Sequence, residues 1–469
     1  MSLTEITINF KAFEQLAQRI SYEFGREIVK VLLEEWDRYL MHSRDKAVYE
    51  HVGRKRTTIK TVIGEVVYYR AQYEYIDEEG KKCYVFLLDA AMGHDSAGHF
   101  SELMRETIVQ ACCASPYREA ARAISEMTGQ SISHTAAWNV VQAVGRQVDA
   151  QEQIAAKLAA KDEGAGTIET KVLFEEQDGI SISLQGRSRR EHGDRKDMKV
   201  AIAYDGVEQK GRKRYELTNK VACASFEAIE KFAKRKEGVI ASTYDVDEIG
   251  IRFLNGDGAK WIRHSQTDET VHFQLDTFHR NKAVTELVSD LKARERIKEL
   301  LYSEDTELLL HVIEVEALSA DDEKERENYL KLHRYFQNNK DALVPYQNRG
   351  LAIPEPPKGK QYRRMGAMES NVYTIIGNRM KGGRACWSIN GGNNLARLLC
   401  LKATGKLAET LRGLSALVLP ECYAEEIEAG LSVARVPQRE GKGYNGFKQM
   451  LIPSSLPWLK GLAAPRPLC

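Results

Sequence analysis

The chain has 469 residues, 43% of them hydrophobic and 29% charged, enough for a few domains of about 150 residues and unlike a small adaptor, a disordered chain or a membrane protein. Lysine plus arginine number 68 and aspartate plus glutamate 67, a net charge of +1, so only the local distribution of charge can point to a polyanionic partner. The eight cysteines form no CxxC pair, which reads as reduced, mostly buried thiols in a cytoplasmic protein. The N-terminus MSLTEITINFKAFEQ lacks a basic stretch followed by an apolar run, and no run of about 18 apolar residues occurs.

Residues 12 to 43 read as a helix. Leu16, Ile20, Phe24, Ile28, Leu32 and Trp36 recur at four-residue spacing among charged residues, an amphipathic face for the body of the protein or for a partner subunit. Residues 56 to 90 alternate and are rich in β-branched and aromatic types, with turns at Gly64 and at Asp77-Glu78-Glu79-Gly80. They predict a small antiparallel sheet of about three strands, with a basic side from Arg54, Lys55, Arg56, Lys60 and Arg70. Helix returns over 101 to 160. SPYREAARAISEMTG opens on Ser115 and Pro116 and stops at Gly129, and Ser133 caps HTAAWNVVQAVGRQVD. Two helices joined by a short glycine turn make a candidate helix-turn-helix, and an ordinary helical hairpin has the same form. His134, Thr135, Trp138 and Asn139 would open its recognition helix.

Residues 150 to 168 read as a linker or fraying helix end. From about 169, TKVLFEEQDGISISLQGR reads as strand, turn, strand, and DMKVAIAYDGVEQKG and YELTNKVACASF add further strands. A helix, a strand and turn at EIGIRFLNGDGAKWI, and a strand into helix at ETVHFQLDTFHRNKAVTELVSDL follow. A meander that then alternates with helices predicts a mixed α/β sheet. Residues 283 to 342 are helical and strongly charged, as in a helical insertion. IPEPPKGKQYRR is a connector, residues 370 to 400 begin as helix, and the chain after 409 is irregular.

Three carboxylates stand where strands end or helices begin: Asp178 in EEQDGISISLQ, Asp257 in FLNGDGAKWI and Glu369 in RRMGAMESNVYTIIGNRM. Carboxylates converging from separate elements can hold two divalent cations about 3.5–4 Å apart for an in-line phosphoryl displacement; Asp-Gly turns at strand ends are the ordinary alternative. Glu369 is the lone acid between Lys358 and Lys406, among ten lysines and arginines that include Arg363, Arg364, Arg379, Lys381 and Arg384. A carboxylate in such surroundings fits phosphate binding round a metal ligand. Gly186 to Lys199 is a second basic stretch, with Arg187, Arg189 and Arg190, and a salt-bridged turn explains it equally. Asp276 and His279 form a D-x-x-H pair followed by Arg280 and Lys282; a plain helix cap by Asp276 is the alternative.

The strings GDGAKWI, QLDTFHRNKA and GAMESNVY resemble a bacterial insertion-sequence transposase family, long catalogued as uncharacterised proteins and related to Mutator-like DDE transposases. The resemblance spans residues 54 to about 405. It implies a ribonuclease-H-like catalytic core with an all-helical insertion between the second aspartate and the glutamate. By motif match Asp178, Asp257 and Glu369 would be the catalytic, metal-binding triad, with Asp276 and His279 as the auxiliary motif. Glu175, Glu176 and Asp205 stay open as alternatives to Asp178. The separations are 79 residues from Asp178 to Asp257 and 112 from Asp257 to Glu369, and the second suits an insertion.

The implied chemistry is cleavage at element ends and strand transfer into target DNA with two Mg²⁺ ions, Mn²⁺ substituting. Arg187, Arg189, Arg190, Arg280, Lys282, Arg363, Arg364, Arg379, Lys381, Arg384, His134, Thr135 and Asn139 are the expected DNA contacts. Expected partners are double-stranded DNA, both terminal inverted repeats and target, and a second subunit; the expected place is the cytoplasm, on the nucleoid. A ribonuclease-H-like nuclease without strand transfer and a domesticated, non-catalytic DNA-binding protein are the rival readings. The corresponding division is 1–50 N-terminal helix, 51–98 small β region, 99–165 helical region, 166–282 and 358–408 the two parts of the core, 283–357 the insertion and 409–469 the tail.

Overall fold

The computed structural model describes residues 10–93, 100–266 and 269–414. The expected boundary at 98/99, Cys422, Cys469 and the expected irregular tail from 415 onward lie outside the described residues. Helix α1 (Phe10–Ser43) is followed by an antiparallel sheet of β1 (Glu50–Thr61), β2 (Gly64–Ile76) and β3 (Lys82–Val85) in sequence order, then by the short α2 (Leu87–Ala91). The C-terminal half of α1 lies on this sheet: Val29, Leu33 and Leu40 pack against Ile59, Val66, Tyr68 and Leu88. Asp37 is buried there, accepts hydrogen bonds from the Ala71 N–H at 3.0 Å and pairs with Arg54.

Helices α3 (Glu102–Ala114), α4 (Tyr117–Thr128) and α5 (His134–Ala159) follow. Ser101 and Ser133 each accept a hydrogen bond from the N–H three residues on, and Gly129 closes α4 at φ 64°; Ser133 and Gly129 act as the sequence reads, whereas Ser115 ends α3 and Pro116 opens α4 without a side-chain bond. The second helix of the pair does not stop at 149. It runs to Ala159, its first half held on the core by Val140, Val141, Val144 and Val148 and its second half meeting Gly238 at Ala156.

The central sheet contains β4 (Val172–Ser183), β5 (Arg195–Tyr204), β8 (Val221–Ser225), β9 (Ile251–Gly256) and β10 (Val271–Leu275) in the order β10-β9-β4-β5-β8. Strands β4, β5 and β8 are antiparallel neighbours, and β9 and β10 run parallel to β4. A separate ribbon of β6 (Val207–Gly211) and β7 (Arg214–Leu217) lies between β5 and β8, and α6 (Gly186–His192) joins β4 to β5. Both faces are covered, so the strands read as near-continuous apolar runs. Phe174, Ile180, Ile202 and Ala224 share a core with α3 and α5, and Leu173, Ala203 and Val221 face Ile240 of α7 (Ile229–Ala241) and Tyr244. The result is a mixed α/β architecture with an N-terminal helical region.

After α8 (Lys260–Arg263) and β10 come α9 (Thr277–Leu287), α10 (Leu291–Ser303), α11 (Thr306–Ser319) and α12 (Glu323–Gln337). They close a core of their own, with Ile297, Ile313, Leu332 and Phe336 on Leu254, Phe273 and Leu275 of the sheet. The chain returns through α13 (Met368–Val372), a π-helical turn (Tyr373–Gly377) and α14 (Asn378–Met380), then α15 (Ile389–Ala403) and α16 (Leu407–Leu414).

Three local expectations change. The run through Asp178 and Gly179 is one unbroken strand, paired residue by residue with β5 from Phe174↔Tyr204 to Ser183↔Arg195; its alternation continues across the Asp-Gly pair, so no turn forms. Residues 186–192 are helical rather than a turn, with Arg187 on Glu191 at 2.5 Å. Residues 407–414 are helix, with Leu407 and Leu411 buried, where an irregular tail was expected from 409.

Candidate metal centre

Three neighbouring strands each carry a buried polar residue at the same level. Glu176 of β4 lies beside Asn255 of β9, which lies beside Gln274 of β10. Side chains two positions apart on a strand share a face. The next residue on that face is Asp178, Asp257 and Asp276 in turn. The sheet thus delivers three acids to one end of one face.

Asp178, Asp257 and His279 converge there: one ligand atom from each lies within 4.8 Å of the others. His279 stands in the first turn of α9, which Asp276 caps by accepting the His279 N–H at 3.1 Å. Its Nε2 is 3.7 Å from Asp178 Oδ2. Asp257 accepts the Ala259 N–H at 2.8 Å, and Tyr335 of α12 donates to the Asp257 carbonyl at 3.0 Å, so α12 braces the loop that carries it. Gly258 has φ +86°, and a Cβ there would meet the Asn339 amide at 2.8 Å, which makes glycine the fitting residue in this turn.

Glu369 sits in the first turn of α13, exposed at the rim of the same small cavity. The cavity measures about 10 Å³ and is lined also by Gln177, Asn255, Asp276 and Met368, room for one water or ion. Burial, ahead of the Asp257 and Glu369 charges, lifts the Asp178 carboxyl to about 6, against the pull of the Gly179 N–H and His279. Asn255 lines this cavity, and its Oδ1 is buried without a hydrogen-bond partner. Crowded acids, a convergent imidazole and an orphaned acceptor fit a divalent cation. The cluster is consistent with a metal-binding active site of general nuclease-like type. A single cation accounts for the three grouped side chains.

The third member of the tight group is His279, the expected auxiliary residue, with Glu369 on the same cavity. The alternatives to Asp178 are engaged elsewhere. Glu175 is buried in ion pairs with Lys236 and Arg252, and Asp205 is held by Lys360 at 2.5 Å and by Thr218 and Asn219. Glu176 is buried and accepts five hydrogen bonds: Tyr204 Oη at 2.6 Å, Asn255 Nδ2 at 3.1 Å and the N–H groups of Gly366, Ala367 and Met368 at 3.0–3.2 Å. Burial pushes its carboxyl up while these donors pull it down. It binds the segment leading into Glu369 to the strand that carries Asp178. Asn255 donates to both Glu176 and Asp276, the latter at 2.8 Å, so one amide ties three acidic elements together. Asn255 was not singled out in the sequence; its position two before Asp257 on a strand is the signal that marks it.

The expected DNA contacts divide by burial. His134, Thr135 and Asn139 are exposed on the first turns of α5 beside Trp138. Arg187, Arg189, Arg190, Lys282, Arg364, Lys381 and Arg384 are exposed, and Arg363 is exposed over the Tyr215 ring at 3.7 Å. One expectation is corrected. Arg280 is buried and donates to the Leu343 carbonyl at 2.9 Å, so it ties α9 to the chain after α12. Arg379 is half-buried, donates to the Cys112 carbonyl at 2.7 Å and stacks on Tyr117 and Trp387, joining α14 to α3 and α4. Arg397, counted in the basic window, is buried against Asp149 and Glu152. Among the described residues no helix is long and apolar enough to cross a membrane.

A protein of Streptococcus gallolyticus named UPF0236 protein in vanSb 3'region is 23% identical to this chain over 355 residues, covering 73% of the chain and 72% of that protein. The model of the uncharacterised protein family UPF0236 matches residues 3–412, a span that contains the whole cluster, and the chain belongs to that family.

Proposed function

We propose that the chain is a divalent-metal-dependent enzyme that hydrolyses phosphodiester bonds of DNA on a ribonuclease-H-like core. The observation that carries this reading is the convergence of Asp178, Asp257 and His279 within 4.8 Å at one end of the central sheet, with Glu369 on the same cavity. The five-stranded mixed sheet, interrupted by a helical unit between Asp257 and Glu369, suits such a core. Asp178, Asp257 and His279 would hold one cation, and Glu369 is the carboxylate available to a second. Bound cations supply Lewis acidity and charge neutralisation at the phosphoryl oxygens. The imidazole makes Mn²⁺ at least as apt as Mg²⁺, since Mg²⁺ favours an all-oxygen set.

The chain's own residues position and desolvate the site. Glu176 and Asn255 fix the acids, Asp276 fixes the start of α9 and therefore His279, and the free Asn255 Oδ1 accepts a hydrogen bond from whatever enters. The exposed cations Arg363, Arg364, Lys381 and Arg384 are available for phosphates.

The second reading is transposition: the same cleavage at terminal inverted repeats, followed by attack of the freed 3′-hydroxyl on target DNA. Two features favour it, the sequence resemblance together with the helical insertion, and the exposed His134, Thr135 and Asn139 at a capped helix start. The test is incubation of the protein with Mg²⁺ or Mn²⁺, labelled DNA carrying the gene's flanking ends, and a target plasmid, beside Asp257→Asn and Glu369→Gln. Metal-dependent cleavage lost in Asp257→Asn is the expected result. Joined products separate the transposase from the nuclease. Sequence-specific DNA retention by the folded protein, with no cleavage under either metal, would overturn both readings.

A further inference from the structure

Helix α1 is attached along only part of its length. Its C-terminal half is fastened to the small sheet by Val29, Leu33, Asp37 and Leu40. Every residue from Phe10 to Ser21 is exposed, and most of the large apolar ones among them fall in line. Phe10, Phe13, Ala17, Ile20 and Phe24 follow a spacing of three, four, three and four, the repeat of a coiled-coil seam. Phe10 is 66% exposed, Phe13 60%, Ile20 55% and Phe24 64%. At about 100° per residue this seam points roughly opposite to the side that faces the sheet. A partner on the seam therefore meets no obstruction from the sheet.

We propose that this seam is a dimerisation surface and that its occupant is the same helix of a second copy of this chain, packed antiparallel. A knobs-into-holes partner must carry the same 3.5-residue repeat, and α1 itself supplies one. Pairing two such seams removes on the order of 1,000 Å² in total, at the lower bound of specific interfaces, given roughly 150–250 Å² per fully buried aromatic side chain. Packing and charge decide the direction. A parallel pairing sets Ala17 against Ala17, which leaves a gap between the Phe13 and Ile20 layers, and carries the repeat on to Glu27, which would oppose itself. An antiparallel pairing stacks Phe13 on Phe24 and Ala17 on Ile20, small against large. It also separates the two Glu27 side chains and sets each beside Phe10 of the other helix at the end of the seam, where it keeps its pair with Lys30 of its own helix at 3.2 Å. This inference is independent of the catalytic reading.

The test is the mass of the full chain in solution, by light scattering after size exclusion at about 50 μM, where a micromolar complex is populated. Wild type should be dimeric. Phe13→Glu with Ile20→Glu should be monomeric with unchanged far-UV circular dichroism, since both side chains are exposed in the single chain. Phe13→Cys mixed with Phe24→Cys should form a disulfide-linked dimer under oxidant. Neither variant alone should exceed the background that wild type, with its exposed Cys386, gives. A monomeric wild type, or a dimer that survives the double charge substitution, overturns the proposal. If the charged variant fails to fold, the cross-link decides: its absence in a dimeric mixture, or stronger linking of Phe13→Cys to itself, rules out the antiparallel seam.

Discussion

Glu176 and Asp178 share one face of one strand and have opposite surroundings. Asp178 is short of donors and beside other acids, as a group waiting for a cation would be. Glu176 has five donors and no open side. The first arrangement serves binding and the second serves position. Glu176→Gln keeps the size of the side chain but turns an NH₂ group toward backbone N–H groups. We expect a loss of roughly 1–3 kcal/mol, the usual cost of stranding buried donors, measured by urea unfolding. Divalent-cation affinity should fall with it, because the segment entering Glu369 loses its anchor. Unchanged stability would mean that the five contacts are replaceable by water.

Among the helices, close contacts hold the sheet's cover in place. Gly145 on α5 is so near α15 that a Cβ would lie 2.5 Å from Asn394 Cβ and 2.8 Å from its Cα. Gly238 on α7 would put one 2.5 Å from the Ala156 backbone nitrogen on α5. Replacing a helical glycine by alanine ordinarily gains about 1 kcal/mol in helix propensity. Here overpacking costs about 1–3 kcal/mol, and the obstructing atoms are backbone or Cβ, which cannot swing aside. Gly145→Ala and Gly238→Ala should therefore each lower the denaturation midpoint, while Gly413→Ala, with no atom within 4 Å in α16, should not. A rise for all three would show that the helices separate readily. The tie between α5, α7 and α15 is also ionic: Arg235 and Arg397 share Asp149 and Glu152, a network whose loss on one side leaves buried charge unpaired.

Across the folded chain, a cation held by the site would couple binding to stability. In the metal-free protein the folded Asp178 carboxyl titrates at about 6, above its ordinary 3.8. The folded state thus holds a proton that the unfolded chain releases at lower pH. This contribution to stability is present below about pH 4, declines as pH rises from 4 to 6, and is absent above. A cation reverses the trend, because it binds the ionised form and competes with that proton. We expect Mn²⁺ at a hundred times its dissociation constant to add about 2.7 kcal/mol, a rise in Tm of a few degrees near pH 7.5 that shrinks steadily below pH 6. Thermal unfolding across pH, with and without chelator, checks it. A metal-induced shift of equal size at pH 5 and pH 7.5 would remove Asp178 from the binding set.

Local pattern was enough for the kinds of element and most of their limits. Period-four spacing marked α1, alternation marked the small sheet, Gly129 and Ser133 marked the turn between α4 and α5, and an unbroken helical pattern set off α9 to α12 as one helical unit. The same reading singled out five of the residues that line the cavity, Asp178, Asp257, Asp276, His279 and Glu369, although not which of them group most tightly. The remainder came from packing. Glu175 is answered by Lys236, 61 positions away, Asp205 by Lys360 at 155, and Glu176 by Gly366 at 190. The burial that turns Arg280 from a surface cation into an internal tie comes from a segment 63 positions away in the chain. Periodicity and capping report on neighbours within a turn or two, whereas ionisation, burial and metal geometry depend on which distant strands and helices the packed core brings alongside.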